Sequence, residues 1–301
     1  MKKYFILAAA ALSMVACSNN ESDNQVQNPD NVIRLNASVG DITRAATNIQ
    51  STAFDEGEDI YLEMTATGYD KKTATYTTAA VSEGKNALSV KAGSTAFTWP
   101  ANGTIAIKAF YPYVDGKQVT SETASFSVEE NQSTDAAYKK SDLMYSNNIT
   151  AQAKQAGAVG LTFNHALTKI IVNLTAGTGV VASDINNCTV TLSAKKTVTI
   201  SEGVAGTEAN SASADATITM GTGANNAAII VPQSYAANAN FITVTTAGNH
   251  SVTFKLTGGK TFDAGKVYTY NLTVNMSEIT LQSTTISVWD PQTAVNDNVT
   301  I

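Results

Sequence analysis

Apolar and polar residues alternate with a period of two through most of the chain, and threonine, valine and isoleucine fill the alternating runs, the side-chain pattern of half-buried β-strands. The run TIAIKAF sets Ile105, Ile107 and Ala109 on one face; TKIIVNL sets Ile170, Val172 and Leu174; CTVTLSA sets Val190 and Leu192; SVTFKL sets Val252, Phe254 and Leu256. The clearest is KVYTYNLTV, with Tyr268, Tyr270, Leu272 and Val274 opposite Thr269, Asn271 and Thr273. Asp115-Gly116, Gly258-Gly259 and the stretch MGTGANNAA punctuate the runs as turns. All five prolines, Pro29, Pro100, Pro112, Pro232 and Pro291, stand outside strand interiors, as an all-β chain requires. Many short strands with regular turns and no long amphipathic helix predict antiparallel β-sandwiches. A chain of 301 residues has room for two. The small-residue stretch TAQAKQAGAVG marks the boundary, giving an N-terminal sandwich over 45–157 and a C-terminal one over 158–301.

The N-terminus departs from this pattern. Lys2 and Lys3 precede an apolar run over 4–11, and small residues lead to Cys17. That order is the one of an export signal, and the run is too short to span a bilayer. Met14, Val15 and Ala16 followed by Cys17 resemble the lipobox of bacterial lipoproteins, which implies a signal peptide over 1–16 and a Cys17 that carries lipid. A thiol suits acylation because its deprotonated sulfur is a strong nucleophile. The polar stretch over 18–23, with two acids, reads as a solvated tether. It is similar to the acidic segment of surface-exposed lipoproteins in Gram-negative anaerobes.

Charge and chemistry narrow the function classes. The chain has 19 basic and 25 acidic residues, and loss of the signal with Lys2 and Lys3 leaves 17 against 25, or −8. No basic patch remains to grip phosphates, so nucleic acid is not expected as a partner. Beyond Cys17 the chain holds one further cysteine, Cys188, read as a buried strand residue. There are two histidines. His165, in FNHALTK, is read as a packed or capping residue that starts a strand, and His250, in AGNHS, as part of a hairpin turn. Neither sits in a recognisable Ser-His-Asp or metal constellation, and no catalytic residue is assigned. The acids of FDEGEDI, from Asp55 to Asp59, lack the alternating spacing of a calcium loop. GTGANN has neither the lysine nor the following helix of a phosphate loop. No cofactor or metal is expected.

An ordered series of motifs remains: TRA at 43–45, FDEGEDI, AFYPY at 109–113, FSVEENQS at 126–133, SDLMYS at 141–146, LTFNHALTKIIVNL at 161–174, FDAGKVYTYNLTV at 262–274 and ISVW at 286–289. Together they resemble the fimbrillin family, the Mfa-like pilins of type V pili. The resemblance implies two transthyretin-like antiparallel β-sandwich domains, export as a lipoprotein to the outer membrane, and assembly with other fimbrial subunits into adhesive surface fimbriae by strand exchange. It further implies that an arginine-specific protease cuts between Arg44 and Ala45, removing the lipidated tether and first strand over 17–44. Only two arginines occur, Arg34 and Arg44, so such a protease has no target in the mature domains. The stretch VIRLNASV alternates Ile33, Leu35, Ala37 and Val39, as a removable strand should. Its departure exposes backbone edges and an apolar cleft for another strand. Burial of four such side chains is worth on the order of 6–10 kcal/mol before ordering costs.

The expected donor is the C-terminal segment 279–301, with Ile279 and Leu281 or Ile286 and Val288 entering the groove; alternation breaks at QSTT, so one pair or the other is expected to fill it. This tail follows the last long strand motif and is expected to lack a role within its own chain. A second function class is a surface lipoprotein that does not polymerise and binds a glycan or protein on a host or bacterial surface, using Trp99, Tyr111 or Tyr113. An enzyme is the third.

Overall fold

In the computed structural model, residues 31–40, 53–202, 204–209, 215–222, 225–289 and 297–298 are described. The first half supplies β1 (Leu35–Val39), β2 (Asp59–Ala66), β3 (Tyr69–Ser82), β4 (Lys85–Val90), β5 (Thr104–Tyr111), β6 (Ser125–Ser127), α1 (Asp135–Ser141), β7 (Met144–Ala153) and β8 (Val159–His165). Seven of these strands close into a barrel in the order β1-β4-β3-β2-β5-β7-β8, with β8 returning to β1. Alternation explains the closure: Ile105, Ile107 and Ala109 of β5 point inward with Ile60, Leu62 and Met64 of β2 and Leu161 and Phe163 of β8, all buried in one apolar cluster.

The second half follows with β9 (Thr168–Ala176), α2 (Ala182–Asn186), β10 (Thr189–Lys195), β11 (Thr197–Ser201), β12 (Val204–Ala209), β13 (Asp215–Thr222) and β14 (Asn225–Ile230). It ends with β15 (Gln233–Tyr235), β16 (Ala239–Thr245), β17 (Ser251–Leu256), β18 (Lys260–Phe262), β19 (Lys266–Val274), β20 (Ile279–Val288) and β21 (Asp297–Asn298). Its two main sheets are β13-β10-β16-β17 and β14-β9-β19-β20-β21. They share a core in which Val190, Leu192, Val252 and Phe254 meet Val172, Tyr270 and Leu272, so the pattern of the sequence is a sandwich in space. Cys188 is fully buried in that core.

The protein is all-β in two units. Three expectations about its layout are corrected. Pairing is not antiparallel throughout: β1 runs parallel to β8, and β9 runs parallel to β19. Each unit therefore lays its first strand parallel to one of its late ones. The boundary also moves. β8 belongs to the barrel, because Leu35 to Val39 pair with Val159 to Phe163, so the second unit starts at Thr168 rather than at 158. Conversely β6 leaves the first half to pair with β11, and Gln132 is buried between Glu129 and Ile229, bonding both carbonyls and the Ile229 N–H. Lastly, His165 ends β8 and does not begin a strand.

Candidate assembly groove

β1 lies in the barrel wall, antiparallel to β4 on one side and parallel to β8 on the other. Ile33, Leu35, Ala37 and Val39 are all buried, so the alternation legible in VIRLNASV is an inward face. The approach to the strand is held as well. Asn31 adopts φ 57° and its side-chain amide donates to the Trp99 carbonyl at 2.8 Å. The Ile33 N–H donates to Phe97 O at 2.8 Å, and Trp99 N–H donates to Asn31 O at 3.0 Å. At the far end Gly40 N–H donates to Phe163 O at 3.0 Å. Gly160 of β8 sits opposite Asn36, and a Cβ there would lie 3.3 Å from the Asn36 side-chain oxygen. The slot is thus built to the width of β1.

The next described stretch, which opens at Ala53, is pinned at Phe54. Asn86, fully buried on β4, accepts from the Phe54 N–H at 3.0 Å, and its amide donates to the Phe54 and Ala79 carbonyls at 2.9 and 2.8 Å. The Phe54 ring packs edge-on against Tyr111 and Phe163, with centroids 5.3 and 5.0 Å away. Asn86 also stands opposite Ala37 of β1. One buried amide therefore borders the slot while it fixes Phe54. Three of the four acids of FDEGEDI are bound to lysines: Lys139 reaches Asp55 at 2.5 Å and Glu58 at 2.7 Å, and Lys91 reaches Asp59 at 2.5 Å.

Cys17, Arg44 and Ala45 lie outside the described residues. Ile279, Leu281, Ile286 and Val288 all stand on β20, which pairs antiparallel with β19 from Lys266↔Val288 to Val274↔Ile279. The expectation that the tail lacks a role within its own chain is overturned. QSTT does not end the strand; Gln282 is an extra residue of β20 opposite the Asn271–Leu272 step of β19, a bulge that absorbs the break in alternation. Thr285 and Ile286 in turn pair with β21.

The tail closes on the barrel through Trp289. Its ring is buried and stacks on His165 at the end of β8, with centroids 3.9 Å apart and planes 12° from parallel. His165 Nδ1 lies 2.7 Å from Asp142 Oδ1. Lys169 Nζ sits 5.9 Å from the Trp289 ring and 5.7 Å from Tyr138, and burial pushes its ammonium down to about 8. The sequence held no signal for this cluster, because its members come from four elements joined only by the fold. Of the aromatic residues considered for ligand binding, Trp99 and Tyr111 are buried in the barrel core, and Tyr113 lies under the Lys91 ammonium at 4.6 Å. His250 is exposed after β16, its Nε2 2.5 Å from Met276 O.

A barrel that takes in β1, a sandwich and a tail paired along β19 define an all-β protein. A fimbrillin-like family model matches residues 43–289; the chain belongs to that family. The match opens on Thr43-Arg44-Ala45 and closes on Trp289. No match was found among curated protein sequences. By structure the chain is similar to a candidate cell adhesion protein from Bacteroides uniformis, with a TM-score of 0.66 and 20% identity over 87% of this chain and 100% of that one. It is similar also to one from Bacteroides ovatus, with a TM-score of 0.66 and 15% identity over 86% and 97%. A third, from Bacteroides fragilis, has a TM-score of 0.51 and 13% identity over 90% and 99%. At these identities the likeness is one of fold. Family membership makes this a fimbrial or adhesion subunit of the cell surface that associates with other fimbrial subunits.

Proposed function

We propose that this subunit is exported as an outer-membrane lipoprotein acylated at Cys17, is cut between Arg44 and Ala45, and polymerises when a strand of another subunit fills the slot that β1 leaves. The observation that carries the reading is the position of β1. It is a fully integrated barrel strand whose three inward side chains are buried, as is Ile33 just before it, yet it precedes Arg44 in the sequence, so a single cut there separates it from every other described strand. The donor is the C-terminal segment 279–301, of which Ile279 and Leu281 or Ile286 and Val288 exchange β19 for the empty slot of the next subunit. Backbone bonds to both neighbours and alternate side chains in the slot hold such a strand.

N-terminal sequencing of protein extracted from the cell surface tests this reading. A start at Ala45 is expected, and Arg44→Ala should leave a lipidated monomer without ladders on unboiled gels. Ladders from that variant as strong as the parent's would overturn it. A second reading, a surface lipoprotein that stays monomeric and binds a surface ligand, is favoured by one observation: β20 is already paired along its length and Trp289 is buried. A mature protein that still starts at acylated Cys17 supports that alternative.

A further inference from the structure

We propose that Arg34 is a second processing site, shielded while β1 is docked and cut once β1 has left, so that removal of the strand cannot be reversed. The inference rests on the maturation reading above and adds to it a residue, an order and a consequence.

The Arg34 side chain is exposed, so its guanidinium is open to recognition in the folded chain. The peptide bond beside it is not. The Arg34 carbonyl oxygen accepts from the Val159 N–H at 2.8 Å, and this oxygen is the atom that an endopeptidase must take into its oxyanion hole. On either side, Ile33 and Leu35 are 2% and 3% exposed, so the side chains that would enter the flanking subsites of a protease are sunk in the barrel. Ile33 is further held by its N–H bond to Phe97, and Leu35 is paired with both Leu88 and Val159. All of these restraints come from partners across the slot and none is internal to the segment. They vanish together when the segment leaves.

The consequence follows from where the bond lies. A segment cut only after Arg44 keeps all four inward side chains on one piece. If it stays tethered to the same membrane, its high effective concentration lets it re-enter the slot in competition with a donor. Hydrolysis at Arg34 divides that face. Water adds across the Arg34–Leu35 amide: the Arg34 carbonyl carbon takes the hydroxyl, the C–N bond breaks, and the Leu35 nitrogen leaves with the proton as an amine. Ile33 then stays on the tethered piece, while Leu35, Ala37 and Val39 leave on the ten-residue peptide LNASVGDITR. Neither fragment carries the full set of contacts.

The two arginines make the products unambiguous by mass. Folded full-length chain carrying Cys17→Ala, with an endopeptidase specific for arginyl bonds as probe, should first yield a product starting at Ala45. The peptide 35–44 should follow with a lag. A chain starting at Leu35 and still joined through Arg44 should form at least about a hundredfold more slowly than the Ala45 product, because it requires cutting in the docked state. Arg34→Lys should leave the Ala45 start unchanged, abolish the peptide 35–44 and slow ladder formation in cells several-fold. The proposal is overturned if the Leu35-started chain appears as fast as the Ala45 product, if the released segment stays intact, or if Arg34→Lys polymerises at the parental rate. Absence of any product starting at Ala45 overturns the maturation reading itself, which separates the two failures.

Discussion

Lys169 occupies a fully buried position between the Tyr138 and Trp289 rings, with Asp142 and the neighbouring His165 as the other polar groups of the cluster. Burial disfavours its ammonium and lowers it from 10.5 to about 8, whereas the Asp142 charge acts in the opposite sense. A lysine depressed in the folded state binds its proton more weakly there than when unfolded. Stability must then rise with pH between about 8 and 10.5. Above 10 the buried tyrosines Tyr76, Tyr138 and Tyr270, held above their ordinary value by burial, oppose it. Relative to Lys169→Met, the parent should gain on the order of 2 kcal/mol from pH 8 to pH 10, measured by denaturant unfolding at each pH. Parallel curves for the two proteins would show that the charge of Lys169 is relieved in another way. The same reasoning explains why sequence reading missed the residue: in TKIIVNL it holds a polar place in the alternation, but β9 is buried on both faces from Thr168 to Val172.

At the scale of elements, local pattern and long-range pairing divide what could be read. The inward faces of β5, β10, β17 and β19 follow their alternation, and β1 was legible as a strand with Ile33, Leu35, Ala37 and Val39 inward. Its neighbours were not. β8 joins the barrel because of a partner more than 120 positions earlier in the chain, and nothing within VGLTFNH states which sheet it serves. Likewise β20 reads as a broken pattern until its own bulge at Gln282, opposite the Asn271–Leu272 step of β19, is seen. The place of β1 yields a prediction for the element alone. Leu35 is 3% exposed in the barrel, so Leu35→Ala should destabilise the uncut chain by about 2–5 kcal/mol. The chain that starts at Ala45 lacks that residue, so cut protein prepared from the variant and from the parent should melt at the same temperature. Unequal melting would mean that the segment remains bound after cutting.

For the whole molecule the open question is whether the tail can serve two places. In the monomer Thr269 stands opposite Thr285 across β19 and β20. Thr269→Cys with Thr285→Cys should therefore staple the tail to its own sheet. If residues 279–288 are the donor, the oxidised variant stays monomeric after cutting and polymerises on reduction. Polymer under oxidising conditions would move the donor beyond Trp289 or elsewhere in the chain. The parallel pairs have a bearing on the shape of any polymer. β1 stands to β8 as β9 stands to β19, but β9 enters its sheet from continuous chain with strands on either side of it in the sequence, whereas β1 has no described strand before it. Only one of the two units can lose its first strand to a cut near Arg44. Each molecule would then have a valence of two, one vacancy and one strand to offer, and subunits of valence two joined head to tail make unbranched threads rather than networks.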